Sequence, residues 1–442
     1  MNNEIFNEAK ISKAYIKLSL PLVFSMVITL IYNLADTFFV AQTNDTGIVA
    51  GVSLGMPVFT LLMAIGNIFG QGGASLISRL LGQKNMAEIR HVSSFCFYAS
   101  LLAGIIIGAL MLIFRTPLLI VIGASSETFV HASEYYICLA IGAPVIILSF
   151  IHSNLLRSEG LSKESMTGTI LGALINIILD PIFISSFGWG ALGAAAATVI
   201  GYLFSDIFFI IIVAKKSELL SINLREMNVT LKHIGQILGI GIPAAIVNLM
   251  QSVSVVLVNQ FLLPYGNEKI AAMGIVLKIN MIALLLLTGF AFGGQPLFGY
   301  YYGSKDKKRL SELFHFCLRF ICSIAIVLTI IIFAAAPLLM GFFIDNAAIV
   351  HDGTIMLRWQ IISMVFVGII LLTTIIFQSF GKVIASFILS ISRQGIIFLL
   401  VLIIAYHFMG YMGIIISQAA ADIITAVMTV ILFYKQAYKE FH

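Results

Sequence analysis

Apolar runs of about 20 residues or more recur from one end of this chain to the other, separated by short polar connections. That recurrence decides most of what the chain can become. About 20 apolar residues are needed for a helix to cross the hydrocarbon core of a bilayer. In lipid every backbone polar group must be satisfied internally, which leaves helices or closed barrels. Only 10% of the 442 residues are charged and 60% are hydrophobic, whereas soluble domains carry roughly 25% charge. The chain is therefore expected to be an all-α polytopic membrane protein. Twelve spans are predicted, running from about 14–40 and 50–77, through about 166–186 and 190–214, to about 384–406 and 411–434.

Charge orients the spans. With the N-terminus placed in the cytoplasm, nineteen of the 25 Lys and Arg residues fall in inside regions and three, Arg115, Lys269 and Arg358, at outside ends. So lopsided a split follows the positive-inside rule and predicts that both termini are cytoplasmic. The segment from Met1 to Lys17 is polar and mixed in charge, unlike a cleavable signal peptide.

The chain repeats itself. Pro21 finds Pro243 at an offset of 222; Gly72-Gly73 find Gly293-Gly294 and Lys84 finds Lys305 at 221; Gly190 and Gly193 find Gly410 and Gly413 at 220. Two homologous halves of six spans each enter the membrane in the same sense, as parallel repeats related by an axis along its normal. The predicted division is an N-terminal six-helix lobe, 1–222, and a C-terminal one, 223–442, with a cytoplasmic linker at about 215–232. Two such lobes around a central cleft are a transporter architecture. No G-x-x-x-x-G-K-[ST] loop is present to hydrolyse a nucleotide, so an ion gradient must supply any driving force.

Within the spans the acids are the informative residues. Asn176 and Asp180, four apart, share one face of the fifth span, and Asp36 lies near the outer end of the first. Thr198 is about eight residues into the sixth; at about 1.5 Å per residue all fall in the outer half of the bilayer. Two carboxylates, an amide oxygen and a hydroxyl make a set of hard oxygen donors, suited to a small cation or a shared proton. The alternative is that each is satisfied separately by a neighbouring helix. The second half offers Val258 and Val401 where the first has Asp36 and Asp180. The acidic site is thus expected in one lobe only. Arg393 and Asp422 are expected to neutralise one another. Asp206 is expected to be solvated or paired, and His152 to be structural, with a proton relay as its alternative. Lys278, Gln251 and Asn154 are possible cleft-lining residues.

Several classes are excluded. The basic residues form no face with interleaved aromatics, so nucleic acid is not an expected partner. Cys96, Cys138, Cys317 and Cys322 read as small buried hydrophobes. The glycine-rich stretch Gly66 to Gly73 reads as a close helix contact and not as a phosphate loop.

The stretch "PLVFSMVITLIYNLADTFFV", with Pro21 and Asp36, the loop "ISRLLGQKN" and its partner "QPLFGYYYGSKDKKR" resemble the multidrug and toxic compound extrusion (MATE) family. "LKINMIALLLLTGFAFGGQPLFGYYYG" is similar to its bacterial DinF/MepA-like drug-efflux branch. The resemblance covers essentially the whole chain. It implies cation or proton coupling at Asp36, Asn176, Asp180 and Thr198, with Na⁺ as the metal if one is used, and a helix bend at Pro21. NorM-like members place an acid in the seventh helix; here that helix carries Asn248, Gln251 and Asn259, so no second site of that type is expected.

The expected function is secondary antiport in a bacterial inner membrane, exporting cationic amphipathic drugs against inward Na⁺ or H⁺. Export or flipping of an endogenous metabolite or lipid-linked precursor is the alternative within transporters. An intramembrane enzyme using the two carboxylates is disfavoured by the repeat. No cofactor beyond the coupling ion is expected, and the partners are small cationic substrates and the bilayer around a monomer.

Overall fold

The structure is a computed structural model that describes residues 5–7 and 10–441; the rest of the polar N-terminal segment and residue 442 lie outside the described residues. It is helical throughout, with no strand among the described residues. In the first half the helices are α1 (Ile11–Ala41), α2 (Thr46–Gly82), α3 (Met86–Ile113), the short α4 (Arg115–Val121), α5 (Phe129–Ser158), α6 (Ser162–Asp180) and α7 (Gly190–Lys215). The second half has α8 (Leu231–Leu262), α9 (Asn267–Gly293), α10 (Gln295–Gly303), α11 (Lys307–Phe343), α12 (Ala347–Ile361), α13 (Met364–Phe380), α14 (Val383–Ile391), α15 (Ile397–Met409) and α16 (Tyr411–Gln436). Among the described residues eleven helical stretches are long and apolar enough to cross a membrane, and α12 with α13, bent by 43°, makes a twelfth when the pair is counted as one span.

The repeat is written into local backbone geometry. Lys84 and Lys305, 221 residues apart, are both left-handed, at φ 59° and 58°. Each precedes a capping residue: Asn85 accepts from the Glu88 amide at the start of α3, and Asp306 from the Arg309 amide at the start of α11. Gly190, the first residue of α7, and Gly410, the cap residue just before α16, share the same unusual sign at φ 51° and 56°. An identical turn at equivalent places is what a duplicated six-helix half requires.

The chain divides into two compact units, Met1–Glu8 with Phe24–Ala245 and Ala9–Val23 with Ile246–His442. The boundaries within α1 and α8 each fall two residues after a proline, Pro21 and Pro243. Close backbone contacts explain the membership. A Cβ on Gly72 would lie 2.1 Å from the Ile237 carbonyl oxygen, and one on Gly241 would lie 1.9 Å from that of Ile68, so the start of α8 belongs against α2. In the second unit a Cβ on Gly293 would lie 2.3 Å from Ser19 Cα, and the Tyr15 hydroxyl donates to the Phe290 carbonyl at 2.7 Å. The glycine-rich stretch of α2 is thus a helix-packing surface. Gly241→Ala should destabilise the first unit by about 2 kcal/mol through overpacking, read as a lower melting temperature in detergent. Gly235→Ala, where a Cβ meets open space, is the matched control.

Four predicted spans are interrupted, the eleventh by a π-segment, Ser392–Ile396, between α14 and α15. The eighth breaks at Gly294, where Pro296 enters the first turn of α10. The fifth ends in a π-turn, Pro181–Ser186, because Pro181 has no N–H for the next helical bond. The tenth bends between α12 and α13. There the Ser363 hydroxyl, which also donates to the Gln360 carbonyl at 3.0 Å, reaches Asp422, and Thr329 donates to the Ile361 carbonyl at 3.2 Å. Hydroxyls replace the lost ladder bonds at that bend.

The connection between α7 and α8 is fastened to α3. Ser93 and Ser94 donate to the Ser221 carbonyl at 3.2 and 3.1 Å, and Tyr98 donates to that of Ile222 at 2.9 Å. Glu159, fully buried beyond the end of α5, accepts from the Ser217 hydroxyl at 2.5 Å and the Glu218 amide at 3.1 Å. Burial pushes the Glu159 carboxyl above its ordinary range, and these hydrogen bonds oppose the rise.

Candidate functional site

Of the polar residues predicted together in the first half, Asn176, Asp180 and Thr198 meet across α6 and α7, and Asp36 is on α1. Asn176 and Asp180 are one turn apart on α6, with Asp180 its last residue, held by the break that Pro181 imposes. Close approach of α6 and α7 brings in Thr198: a Cβ on Gly172 would lie 2.7 Å from the Gly201 carbonyl oxygen, and one on Gly201 would lie 3.2 Å from Asn176 Cβ. The Asn176 amide donates to Asp180 Oδ1 and to Thr198 Oγ1, both at 3.4 Å. Asp180 is completely buried, and Asn176 and Thr198 nearly so.

Asp36, on α1, is an electrostatic neighbour of Asp180, and Tyr135 on α5 interacts with both carboxylates. Three oxygens, Asp36 Oδ1, Asn176 Oδ1 and Asp180 Oδ2, are buried without a hydrogen-bond partner. All are hard donors, which suits a proton or Na⁺ and no softer ion. Among the described residues no cluster of three or more His, Cys, Asp or Glu side chains forms a transition-metal site.

Tyr135 is absent from the sequence-predicted set. Its signal was its place in the fourth span, but a tyrosine in an apolar helix has no periodicity that sets it apart. Other candidates lie elsewhere. Asn154 is buried, donates to the Phe150 carbonyl at 2.7 Å and accepts from Arg157 at 2.6 Å. Lys278 and Gln251 are exposed on α9 and α8. Pro21 sits inside α1, which stays helical through it. Arg393 and Asp422 pair as expected, Nε to Oδ1 at 2.9 Å, and Gln418 and Ser363 complete the carboxylate's hydrogen bonds at 3.1 and 2.7 Å.

Spans of this number in a duplicated half, with buried oxygen donors set into one of them, define a polytopic membrane transporter. The MatE family profile matches residues 21–182 and again 243–404, both pairs of bounds 222 residues apart and both starting at a unit-boundary proline. The chain belongs to the MatE family, and as such it is a transporter and not an enzyme.

Curated relatives include the multidrug export protein MepA of Staphylococcus saprophyticus subsp. saprophyticus, 33% identical over 97% of this chain and 95% of the relative. MepA of Staphylococcus aureus strain MRSA252 is 32% identical over the same shares. Among solved structures, a multidrug resistance MATE family transporter of the MOP superfamily in an outward-facing conformation superposes with a TM-score of 0.93 at 25% identity, covering 99% of this chain and 98% of that one. A Pyrococcus furiosus MOP superfamily transporter, whose reversed pocket polarity suggests a different function, gives 0.91 at 25% identity over 98% and 97%.

Proposed function

We propose that this chain is an antiporter of a bacterial inner membrane, with both termini cytoplasmic, that exports cationic amphipathic compounds against inward Na⁺ or H⁺. The coupling ion binds at Asp36, Asn176, Asp180 and Thr198. The observation that carries the reading is the convergence of two carboxylates, an amide and a hydroxyl with three oxygens left unpartnered in a buried place. Relatives 33% and 32% identical over nearly the full length are multidrug export proteins, which supports the substrate class.

Neutralising Asp36 and Asp180 changes the cost of burying them, and an ion drives the cycle only through its different affinity for the two end states. Asn176 orients Asp180 and Thr198 together, so one amide positions both other α6–α7 donors. Transport of ethidium into inside-out proteoliposomes, under Na⁺ and pH gradients imposed separately, tests the reading. One gradient is expected to drive accumulation at least about tenfold above its absence, a coupling of about 1.4 kcal/mol. Accumulation indifferent to both gradients removes it. The Pyrococcus furiosus relative motivates a competing reading, export or flipping of a metabolite or lipid-linked precursor; that reading gains if lipid moves and ethidium does not.

A further inference from the structure

A second group of buried titratable side chains lies in the first unit, nearer the α7–α8 connection than the cluster just described. His152 on α5 and Asp206 on α7 face each other, Nδ1 to Oδ1 at 3.8 Å, at 2% and 3% exposure. Neither ring nitrogen and neither carboxylate oxygen has a close hydrogen-bond partner. Phe97 and Phe209 flank the imidazole, with ring centroids at 5.4 and 6.3 Å. An ionised carboxylate in such a place is costly without a compensating charge, and an imidazolium has the same difficulty. Together they relieve each other, provided a proton is present to make the imidazole cationic.

Thr198, Tyr202 and Asp206 stand at successive four-residue intervals on one face of α7. At about 1.5 Å per residue the ladder spans about 12 Å. Its middle rung is bridged to α1: the Tyr202 hydroxyl lies 3.3 Å from the Tyr32 hydroxyl. Tyr32 is one turn before Asp36 and interacts with it electrostatically, as Tyr202 does with Asp206. Beyond His152, a small hollow lined by Ser93, Phe97, His152, Val213, Ser221 and Ile222 extends beneath the connection.

We propose that His152 and Asp206 form a second proton-binding site of the first unit, linked to the Asp36–Asp180 cluster through the Tyr32–Tyr202 hydroxyl pair. The proposal rests on the coupling reading above for its role in transport, and on its own geometry for the binding itself. One proton adds to the neutral imidazole beside the Asp206 carboxylate, and its release restores the starting pair. The polar and aromatic groups recorded against the site are few. Tyr202 and Phe209 come from α7, Ser149 from α5, Phe97 and Ser93 from α3, Ser221 from the connection, and α6 offers Gly168 against Phe209 and Ser205. Arg157, the nearby cation of α5, is engaged with Ser153, Asn154 and Ser165.

Nuclear magnetic resonance of histidine-labelled protein in nanodiscs tests this directly, with the His152 signal identified by its loss in His152→Gln. The His152 signal is expected to respond to pH as an imidazole gaining a proton, and to do so less readily in Asp206→Asn, where the compensating carboxylate is gone. If His152→Gln does not fold, a variant with the other seven histidines replaced carries His152 as its single signal. An imidazole that stays neutral as the pH is lowered, or titrates identically in Asp206→Asn, overturns the proposal. Asp36→Asn separates the two readings. Unimpaired gradient-driven transport in Asp36→Asn removes the coupling role of the acidic cluster, and a titrating, Asp206-dependent His152 in that same variant still establishes the second site.

Discussion

Asp36→Asn and Asp180→Asn are each expected to reduce gradient-driven ethidium transport to the level of empty proteoliposomes while the protein remains folded. The reasoning is electrostatic. Each asparagine keeps the side-chain volume and one oxygen but loses the charge that an incoming cation or proton neutralises. The two conformations then no longer differ in their affinity for the ion, and an ion with equal affinity for both states shifts nothing. A loss of about tenfold or more is the expected scale, since site-to-site couplings are commonly about 1–3 kcal/mol. Folding should survive, because removing a buried charge that lacks full hydrogen bonding relieves a cost. Size-exclusion profiles check the folding and vesicle assays check the transport. Transport at the unmodified level in both variants would sink the assignment.

Asp422→Leu is expected to destabilise the second unit by about 3–5 kcal/mol, because it leaves the Arg393 guanidinium with no compensating carboxylate. The Ser363 hydroxyl at the α12–α13 bend loses the nearer of its two acceptors in the same change and keeps the Gln360 carbonyl. Arg393 lies in a short π-segment, Ser392–Ile396, where Gly395 departs from helical geometry at φ −116°, ψ −107°. One carboxylate therefore ties a helix bend to a helix bulge. The double variant Arg393→Met with Asp422→Leu should regain most of the loss, since an apolar pair of similar volume replaces a buried ion pair at little net cost. Thermal unfolding of the three proteins in one detergent measures this. A single variant as stable as the parent would show that the pair holds nothing.

The same two positions show how far a repeat constrains structure. Gly172 and Gly201 precede Arg393 and Asp422 by 221 residues each. In the first unit those glycines let α6 and α7 approach within backbone contact. In the second the equivalent crossing carries a charged pair. Duplicated helices thus keep their order while the crossing chemistry diverges, and the first-unit version is the one that brings Asn176 to Thr198. The packing difference and the acidic cluster belong to the same half for that reason.

Much of this was legible in the residues themselves. Apolar length determined the spans, because lipid leaves a spanning backbone few choices. The near-constant offset determined the duplication, and the i, i+4 spacing placed Asn176 and Asp180 on one face. The pairing of Arg393 with Asp422 followed from charge and depth. The tertiary structure alone decided which hydroxyls, carbonyls and rings stand opposite those residues. Tyr135 on α5 becomes an electrostatic neighbour of Asp36 on α1 and Asp180 on α6 only through the packing of separate helices, and His152 meets Asp206 where α5 packs beside α7. The membership of the α1 and α8 starts likewise rests on glycine contacts between residues more than 160 apart in sequence. Spacing along one helix is set by local backbone geometry and can be read off a chain. Juxtaposition across helices depends on how side-chain volumes fit, and in this protein that fit sets Asn176 between Asp180 and Thr198 and His152 against Asp206.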